Sequence, residues 1–372
     1  MSDTSPGSGY GLSSAGHAEV IAAPVLPYLP PRPQRYRPRI GVIGCGGIAE
    51  YHLRAYRALG LDVAVLCDRS AERAAQRRAE FYPAAELTTD YRDVLARPDV
   101  EVVDLSLHPQ DRAPVIEAAL RARKHVLSQK PFVLDLDLGE RLVALAEAQG
   151  VVLAVNQNGR WAPHFSYLAA AVQSGVIGDV ASIDCTLQWD HTWTTGTPFE
   201  QVHHLVLFDF GIHWFDLVAR LMQGRKAQRV WASVTRARFQ KMRPPILAQV
   251  TIDYDDAQVR LAFNGHVQLG QEDRTVVCGS RGTLRSYGPS LSEQTVELHT
   301  AAGRAPVPLE GTWFTNGFQG AMGELLCAIE EGRTPVHAAR GNLESLALCF
   351  AALASAGRGQ PVVPGEVRTA AH

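Results

Sequence analysis

The sequence predicts an α/β protein. A Rossmann domain, a doubly wound parallel sheet, should be followed by an α+β second domain with a largely antiparallel sheet. Three observations carry this. From residue 39 to 156 short β-branched runs alternate with helix-length segments, the pattern of a parallel sheet covered on both faces. The first run enters a glycine-rich turn. After Trp161 the alternation stops and closely spaced strand-like runs take over. A length of 372 residues suits two domains.

Residues 1–37 form an N-terminal arm. Its start, Ser2-Asp3-Thr4-Ser5-Pro6-Gly7-Ser8-Gly9, is predicted to be disordered. Its continuation through Pro24, Pro27, Pro30, Pro31 and Pro33 is predicted to be extended. The arm lacks the charged start and apolar core of a secretory signal. Val25, Leu26, Tyr28 and Leu29 give it apolar surface, so it is either a passive tail or a strap along a neighbouring subunit.

Residues 38–157 are expected to form the first domain, the parallel sheet. Strand Ile40–Ile43 leads into a helix near 47–59, and strand Asp62–Cys67 into a helix near 71–81. A short strand near Leu87 and a helix from Tyr91 to Ala96 follow. Strand Val100–Ser106 precedes a helix over 111–123. Strand His125–Ser128 precedes a helix over 136–148, and strand Val151–Asn156 closes the set. In such a sheet ligands bind at the carboxyl ends of the strands.

Residues 158–372 form the second domain, for substrate binding and oligomerisation. Helices are predicted over 163–174 and 204–222, then strands over 228–237, 246–254, 257–265, 274–278 and 282–286. Helices near 316–331 and 341–356 end it.

Composition narrows the function. Hydrophobic residues are 46% and charged residues 20% of the chain, with a formal net charge of −2, as in a globular enzyme. There is no basic patch interleaved with aromatics, so nucleic acid is not an expected partner. No apolar stretch is long enough to span a bilayer. Six scattered cysteines form no C-x-x-C pair and read as reduced thiols of a cytoplasmic protein.

The turn is Gly44-Cys45-Gly46-Gly47-Ile48-Ala49, with G-x-G-x-x-A spacing. The first glycine permits the tight turn and the second the approach of a pyrophosphate. The small third residue packs helix on strand. Asp68 ends the second strand, about 20 residues on, where a carboxylate binds the adenosine ribose hydroxyls. That favours NAD over NADP. Arg69 and Ser70 would serve a 2′-phosphate if Asp68 turned away.

Two further motifs carry chemistry: Gln129-Lys130-Pro131 after a strand, and Asp209-Phe210-Gly211-Ile212-His213-Trp214-Phe215-Asp216 on a helix. With the glycine turn, in this order, they resemble the Gfo/Idh/MocA family of glucose-fructose oxidoreductase and inositol dehydrogenase-like enzymes, over residues 38–365. Lys130 stands at the carboxyl edge of the sheet. Asp209 and His213 are four apart on a helix and share a face. Histidine titrates near neutrality and suits proton transfer. The resemblance implies that Lys130, Asp209 and His213 are the catalytic residues. His213 would be the acid/base, with the lysine positioning the substrate oxygen.

The chain departs from the family at two places. Gln129 stands where the family usually has glutamate. Arg112 or Ala113 stands where it commonly has a histidine early in the fourth-strand helix.

The expected cofactor ligands are Gly44, Gly46, Gly47, Ile48, Asp68, Arg69, His108, Gln129, Lys130 and Asn158. The expected substrate ligands are Lys130, Arg160, Trp161, Trp189, His191, Asp209 and His213. The aromatic, hydroxyl-rich loop Trp189–Thr197 suits the faces and hydroxyls of a sugar. His203, His204, Asp209 and His213 have poor spacing for a metal, and none is expected.

The reading is an NAD-dependent dehydrogenase acting on a secondary alcohol of a sugar, cyclitol or glycoside, working as a homo-oligomer, a dimer or tetramer. Its rivals are a redox-assisted glycosidase or lyase and a non-catalytic dinucleotide-binding regulator.

Overall fold

The computed structural model describes residues 19–370, so the start of the arm lies outside the described residues. Two sheets organise the chain. The first has strands β1 (Arg39–Ile43), β2 (Asp62–Cys67), β3 (Glu86–Thr88), β4 (Val100–Leu105), β5 (His125–Gln129) and β6 (Leu153–Asn156). They lie in the order β3-β2-β1-β4-β5-β6, all parallel. The order reverses beside β1, which opens a crevice at its carboxyl end.

The connecting helices are α1 (Ala49–Ala58), α2 (Ala71–Phe81), α3 (Tyr91–Ala96), α4 (Pro109–Arg121) and α5 (Leu136–Gln149). Local chemistry sets their starts. Ser70 accepts from the Arg73 amide, Asp90 from Arg92, and Asp135 from Asp137 and Leu138, satisfying amides that the first turn leaves free. Alternation along β1 divides the core. Ile43 joins Val115 and Ile116 of α4 and Leu142 and Val143 of α5. Ile40 and Val42 face the other way, onto Leu53 and Tyr56 of α1.

The second sheet has eight strands: β7 (Val180–Gln188), β8 (Arg229–Thr235), β9 (Leu247–Asp253), β10 (Gln258–Asn264), β11 (Glu272–Gly279), β12 (Gly282–Gly288), β13 (Thr295–Thr300) and β14 (Gly303–Val307). Their order is β14-β13-β12-β11-β7-β10-β9-β8. Only β7 and β10 run parallel. Helices α6 (Pro163–Gln173), α7 (Ile212–Leu221), α8 (Trp313–Glu331) and α9 (Ala339–Arg358) complete the chain.

Sequence reading missed β7, β13 and β14. β7 is the central strand, and its alternation breaks where the register shifts between Cys278 and Gly279, opposite Ser182 and Val180. The predicted 204–222 helix is two pieces, a π-turn over Val206–Phe210 and then α7.

α8 crosses back to the first sheet. Phe318, Ala321, Met322, Leu325 and Leu326 join Ile40, Val42, Leu53 and Tyr56 in one buried cluster. The described part of the arm lies along its own chain. Ile21 donates to the Arg304 carbonyl of β14 at 2.9 Å. The Pro24 carbonyl accepts from the Tyr167 hydroxyl at 2.9 Å. The Glu330 carboxylate accepts from the Gln34, Arg35 and Tyr36 amides. Leu26 and Tyr28 pack on the core, while Val25 and Leu29 are exposed.

All six cysteines are free thiols, five of them buried. Among the described residues no helix is long and apolar enough to cross a membrane.

Candidate active site

The glycine turn is built for a close ligand. Gly44 has φ +103°, and a Cβ there would lie 2.6 Å from the Ser106 carbonyl oxygen. Only glycine fits both constraints. At Gly46 and Gly47 a Cβ would meet nothing within 4 Å, so the space beside them is open. The amides of Gly46, Gly47 and Ile48 have no partner among the described residues. They precede α1, where the helix dipole favours an anion. The turn therefore fits a dinucleotide pyrophosphate.

Asp68 closes the turn. Its Oδ2 accepts from the Cys45 amide and its Oδ1 from the Ser70 amide, each at 2.8 Å. Arg73 lies 3.0 Å from Oδ1. Oδ2, with a single donor, keeps a second lone pair for a ribose hydroxyl. Arg69 sits on the rim, 3.5 Å from Asp111, and exposed His108 caps α4 on the same rim.

Across the crevice Lys130 follows β5. Its Nζ donates to the Asp209 carbonyl at 2.8 Å and lies 3.3 Å from the Asp209 carboxylate. Asp209 belongs to the π-turn. The Gly211 amide bonds back five residues to the Val206 carbonyl at 2.7 Å. A Cβ at Gly211 would press 2.7 Å from the Leu207 carbonyl, so the passage from π-turn to α7 needs glycine.

His213 follows in the first turn of α7. Trp313 meets its ring edge-on, centroids 5.3 Å apart. Its Nδ1 is buried without a partner among the described residues. Burial, and next the Lys130 charge, hold its pKa well below the usual imidazole range. The ring is therefore neutral around pH 7 and can accept a proton.

Several expected ligands are placed otherwise. Arg160 forms a two-pronged pair with Asp216, both bonds 2.7 Å, and its remaining nitrogen donates to the Val336 carbonyl. The guanidinium is spent inside the fold, which corrects its expected substrate role. Trp161 is buried against His337 and the face of α8 at Gly320, so it too is a packing residue. Gln129 is 5% exposed. Both ends of its amide are bonded, to the Lys130 amide and to His52, so its side chain turns inward and away from any cofactor.

Asn158 is buried, and its Oδ1 accepts from the Trp313 indole at 3.2 Å. His191 is 1% exposed, sandwiched between half-buried Trp189 at 4.0 Å and Phe210 at 3.8 Å. It backs the wall next to Asp209 rather than lining the cleft, and only Trp189 keeps an open edge.

Two residues escaped sequence reading. Gln157 follows β6, one residue beyond Asn156, which pairs with Gln129. It is 1% exposed, and both amide ends lack a partner among the described residues. Trp313 seals the far side of His213. The polar run Asn156-Gln157-Asn158 after an apolar strand was a signal for the first. A lone tryptophan gave none for the second. Among the described residues no three His, Cys, Asp or Glu side chains gather as a metal site.

The same two regions of the chain match known proteins. Residues 38–157 match the oxidoreductase family with an NAD-binding Rossmann fold, GFO_IDH_MocA. Residues 165–285 match the GFO/IDH/MocA C-terminal domain. The D-apiose dehydrogenase of Paraburkholderia graminis is 25% identical over 86% of this chain and 88% of its own. The inositol 2-dehydrogenase of Rhizobium meliloti is 25% identical over 85% of this chain and 96% of its own. Among solved structures, an oxidoreductase from Agrobacterium radiobacter in complex with NAD+, L-tartaric acid and magnesium superposes with a TM-score of 0.80. It is 21% identical, with 89% of this chain and 99% of that one covered.

Proposed function

Since the chain belongs to the GFO/IDH/MocA family of NAD-binding oxidoreductases, we propose that it is a dehydrogenase of a secondary alcohol in a sugar, cyclitol or glycoside. The observation that carries this is the Lys130–Asp209 contact at the carboxyl edge of the sheet that also bears the glycine turn, with neutral His213 one turn further on. The D-apiose and inositol dehydrogenase relatives support the substrate class.

Bound NAD supplies the hydride acceptor. His213 takes the hydroxyl proton, its imidazole kept neutral by burial. The Lys130 ammonium, steered by Asp209, hydrogen-bonds the substrate oxygen and steadies the charge that grows there. Trp313 excludes water behind the imidazole. Asp68, with its carboxylate toward the turn, supports NAD over NADP. The six free thiols suit a cytoplasmic setting. The outer face of the second sheet, bearing exposed Trp231 and Tyr287, suits a homo-oligomer.

The test is a screen of sugars and polyols with NAD and NADP, read by absorbance of the reduced nicotinamide, followed by His213→Ala. General acid–base assistance is worth about 10²–10⁴-fold, so the variant should lose turnover on that scale while binding NAD normally. Turnover within a few-fold of wild type would place the proton elsewhere. Substrate conversion without accumulation of reduced cofactor would point to the redox-assisted glycosidase instead.

A further inference from the structure

Two buried polar groups grip the peptide of Lys130 from opposite sides of its chain chemistry. On the carbonyl side stands Arg112, 1% exposed. Its Nε donates to the Leu107 carbonyl at 3.1 Å. Its two terminal nitrogens donate to the carbonyls of Leu107, Gln129 and Pro131, and more weakly to that of Lys130 at 3.4 Å. The guanidinium thus brackets the whole Gln129-Lys130-Pro131 segment and ties it to the end of β4. A lysine has three donors on one nitrogen and could not span this spread of four carbonyls as the planar fork does.

On the amide side stands Gln129. Its Oε1 accepts from the Lys130 amide at 2.7 Å. That donor fixes which end of the carboxamide is oxygen, so Nε2 points at His52 Nε2, 3.1 Å away. The Asn156 amide nitrogen lies 3.1 Å from the same ring atom. His52 Nε2 therefore accepts, and its proton is on Nδ1, donated to buried Asp104 at 2.7 Å. Tyr56 donates to the same Asp104 oxygen at 2.7 Å. The chain Asp104–His52–Gln129–Lys130 runs in one donor direction from end to end.

These groups are buried, and Gln129 and Arg112 meet at this one peptide. We propose that Arg112 and Gln129 are positioning residues: together they fix the Lys130 backbone so that its Nζ lies against Asp209, where it can serve the substrate oxygen. Burial lowers the Arg112 guanidinium to about 9, which leaves it charged at pH 7. The carboxylates facing it are Asp209 and Asp104.

The proposal rests on the dehydrogenase reading for the use made of Lys130, but its test does not depend on turnover. The chain has four lysines, and Lys226 and Lys241 are exposed references. Full-length wild type, Arg112→Met, Arg112→Lys and Gln129→Leu are acetylated briefly with acetic anhydride. Labelling of Lys130 relative to the two references is read by mass spectrometry, beside NAD titration, thermal melting and, once a substrate is known, kcat and KM.

Release of the ammonium from Asp209 should raise relative Lys130 labelling about tenfold in Arg112→Met and Gln129→Leu, the scale of a charge-assisted hydrogen bond. NAD affinity should stay within a few-fold. kcat should fall roughly 10²-fold with little change in KM, as for a misplaced reacting group. Arg112→Lys, which keeps the charge but not the fork, should recover only part of the loss. Relative labelling within twofold of wild type in folded Gln129→Leu and Arg112→Lys overturns the proposal, whether or not Arg112→Met folds. Altered labelling without any dehydrogenase activity would instead leave the positioning intact and sink the reading of the reaction.

Discussion

Arg160 lends itself to a decisive perturbation, because two roles for it predict opposite outcomes. Its side chain is 9% exposed and that of Asp216 is 3% exposed. The pair makes two 2.7 Å bonds. Ser345 adds a third bond to Asp216 at 2.9 Å. In Arg160→Met the Asp216 carboxylate keeps only that hydroxyl. Removing one partner of a buried pair costs about 3–5 kcal/mol, since the remaining charge stays desolvated. At roughly 2–4 °C per kcal/mol for a domain of this size, the melting temperature should fall by about 6–20 °C. Replacing both partners, as Arg160→Met with Asp216→Leu, removes the stranded charge and should recover much of the loss. Differential scanning fluorimetry gives the melts, and KM below the transition gives the functional readout. KM should stay within about threefold in Arg160→Met, because the guanidinium makes no contact in the cleft. An unchanged melt with a KM raised tenfold or more would show that Arg160 serves the substrate and that the pairing argument is wrong.

Three further outcomes follow from the geometry. Gly44→Ala forces a Cβ to 2.6 Å from the Ser106 carbonyl at φ +103°, so NAD binding by calorimetry should be lost or weakened more than tenfold; near-normal affinity would mean that the turn is not the pyrophosphate cradle. Asp68→Ala removes the acceptor of the Cys45 and Ser70 amides and should weaken NAD about tenfold more than NADP; equal losses would remove the ribose role. Stability should peak near pH 6.5. His164, His191 and His337 are buried with pKa values of about 3, His204 lies at about 4, and His213 lies well below the usual imidazole range, so these groups take up protons in the unfolded chain as pH falls below 6.5. Asp273, raised to about 8, stays protonated in the fold and opposes them with one. The histidines outnumber it, so stability should fall from pH 6.5 towards 4, and should fall by about 1.4 kcal/mol per unit from 6.5 to 8, where Asp273 alone sets the sign. Denaturant titrations across that range that show no maximum would contradict it.

Legibility followed the range of the interactions. The glycine turn, the Asp68 carboxylate and the strand–helix alternation are local, and the sequence pattern located each within a few residues. Lys130, Asp209 and His213 stand in compact motifs that the sequence could single out, and the structure brings Lys130 against Asp209. The facing of long side chains was not legible. Arg160 follows the last strand of the first sheet, as a cleft residue would, but Asp216 and Ser345 draw it inward from 56 and more residues away. His191 looked polar and available in a hydroxyl-rich loop, yet Phe210, brought to it by the π-turn, stacks over its ring. β7 was missed although Ile183–Gln188 alternates buried and half-buried residues; only its first residues, at the register shift, break the pattern.

The course of α8 bears on how the two halves of the molecule can be taken apart. Residues near the end of the chain pack over α1 and strands β5 and β6, in one buried cluster with Leu53 and Tyr56. Without them that side of α1 and those strands expose apolar surface to water. A fragment ending at residue 157 would carry the whole nucleotide-recognition sequence and still lack a side of its own core, so it should collapse or aggregate when expressed alone. Supplying residues 313–331 in trans, or fused through a short linker, should restore it. The shared helix also means that the halves are not beads on a string. Any movement of one sheet relative to the other must therefore either carry α8 with the first sheet or slide it across α1.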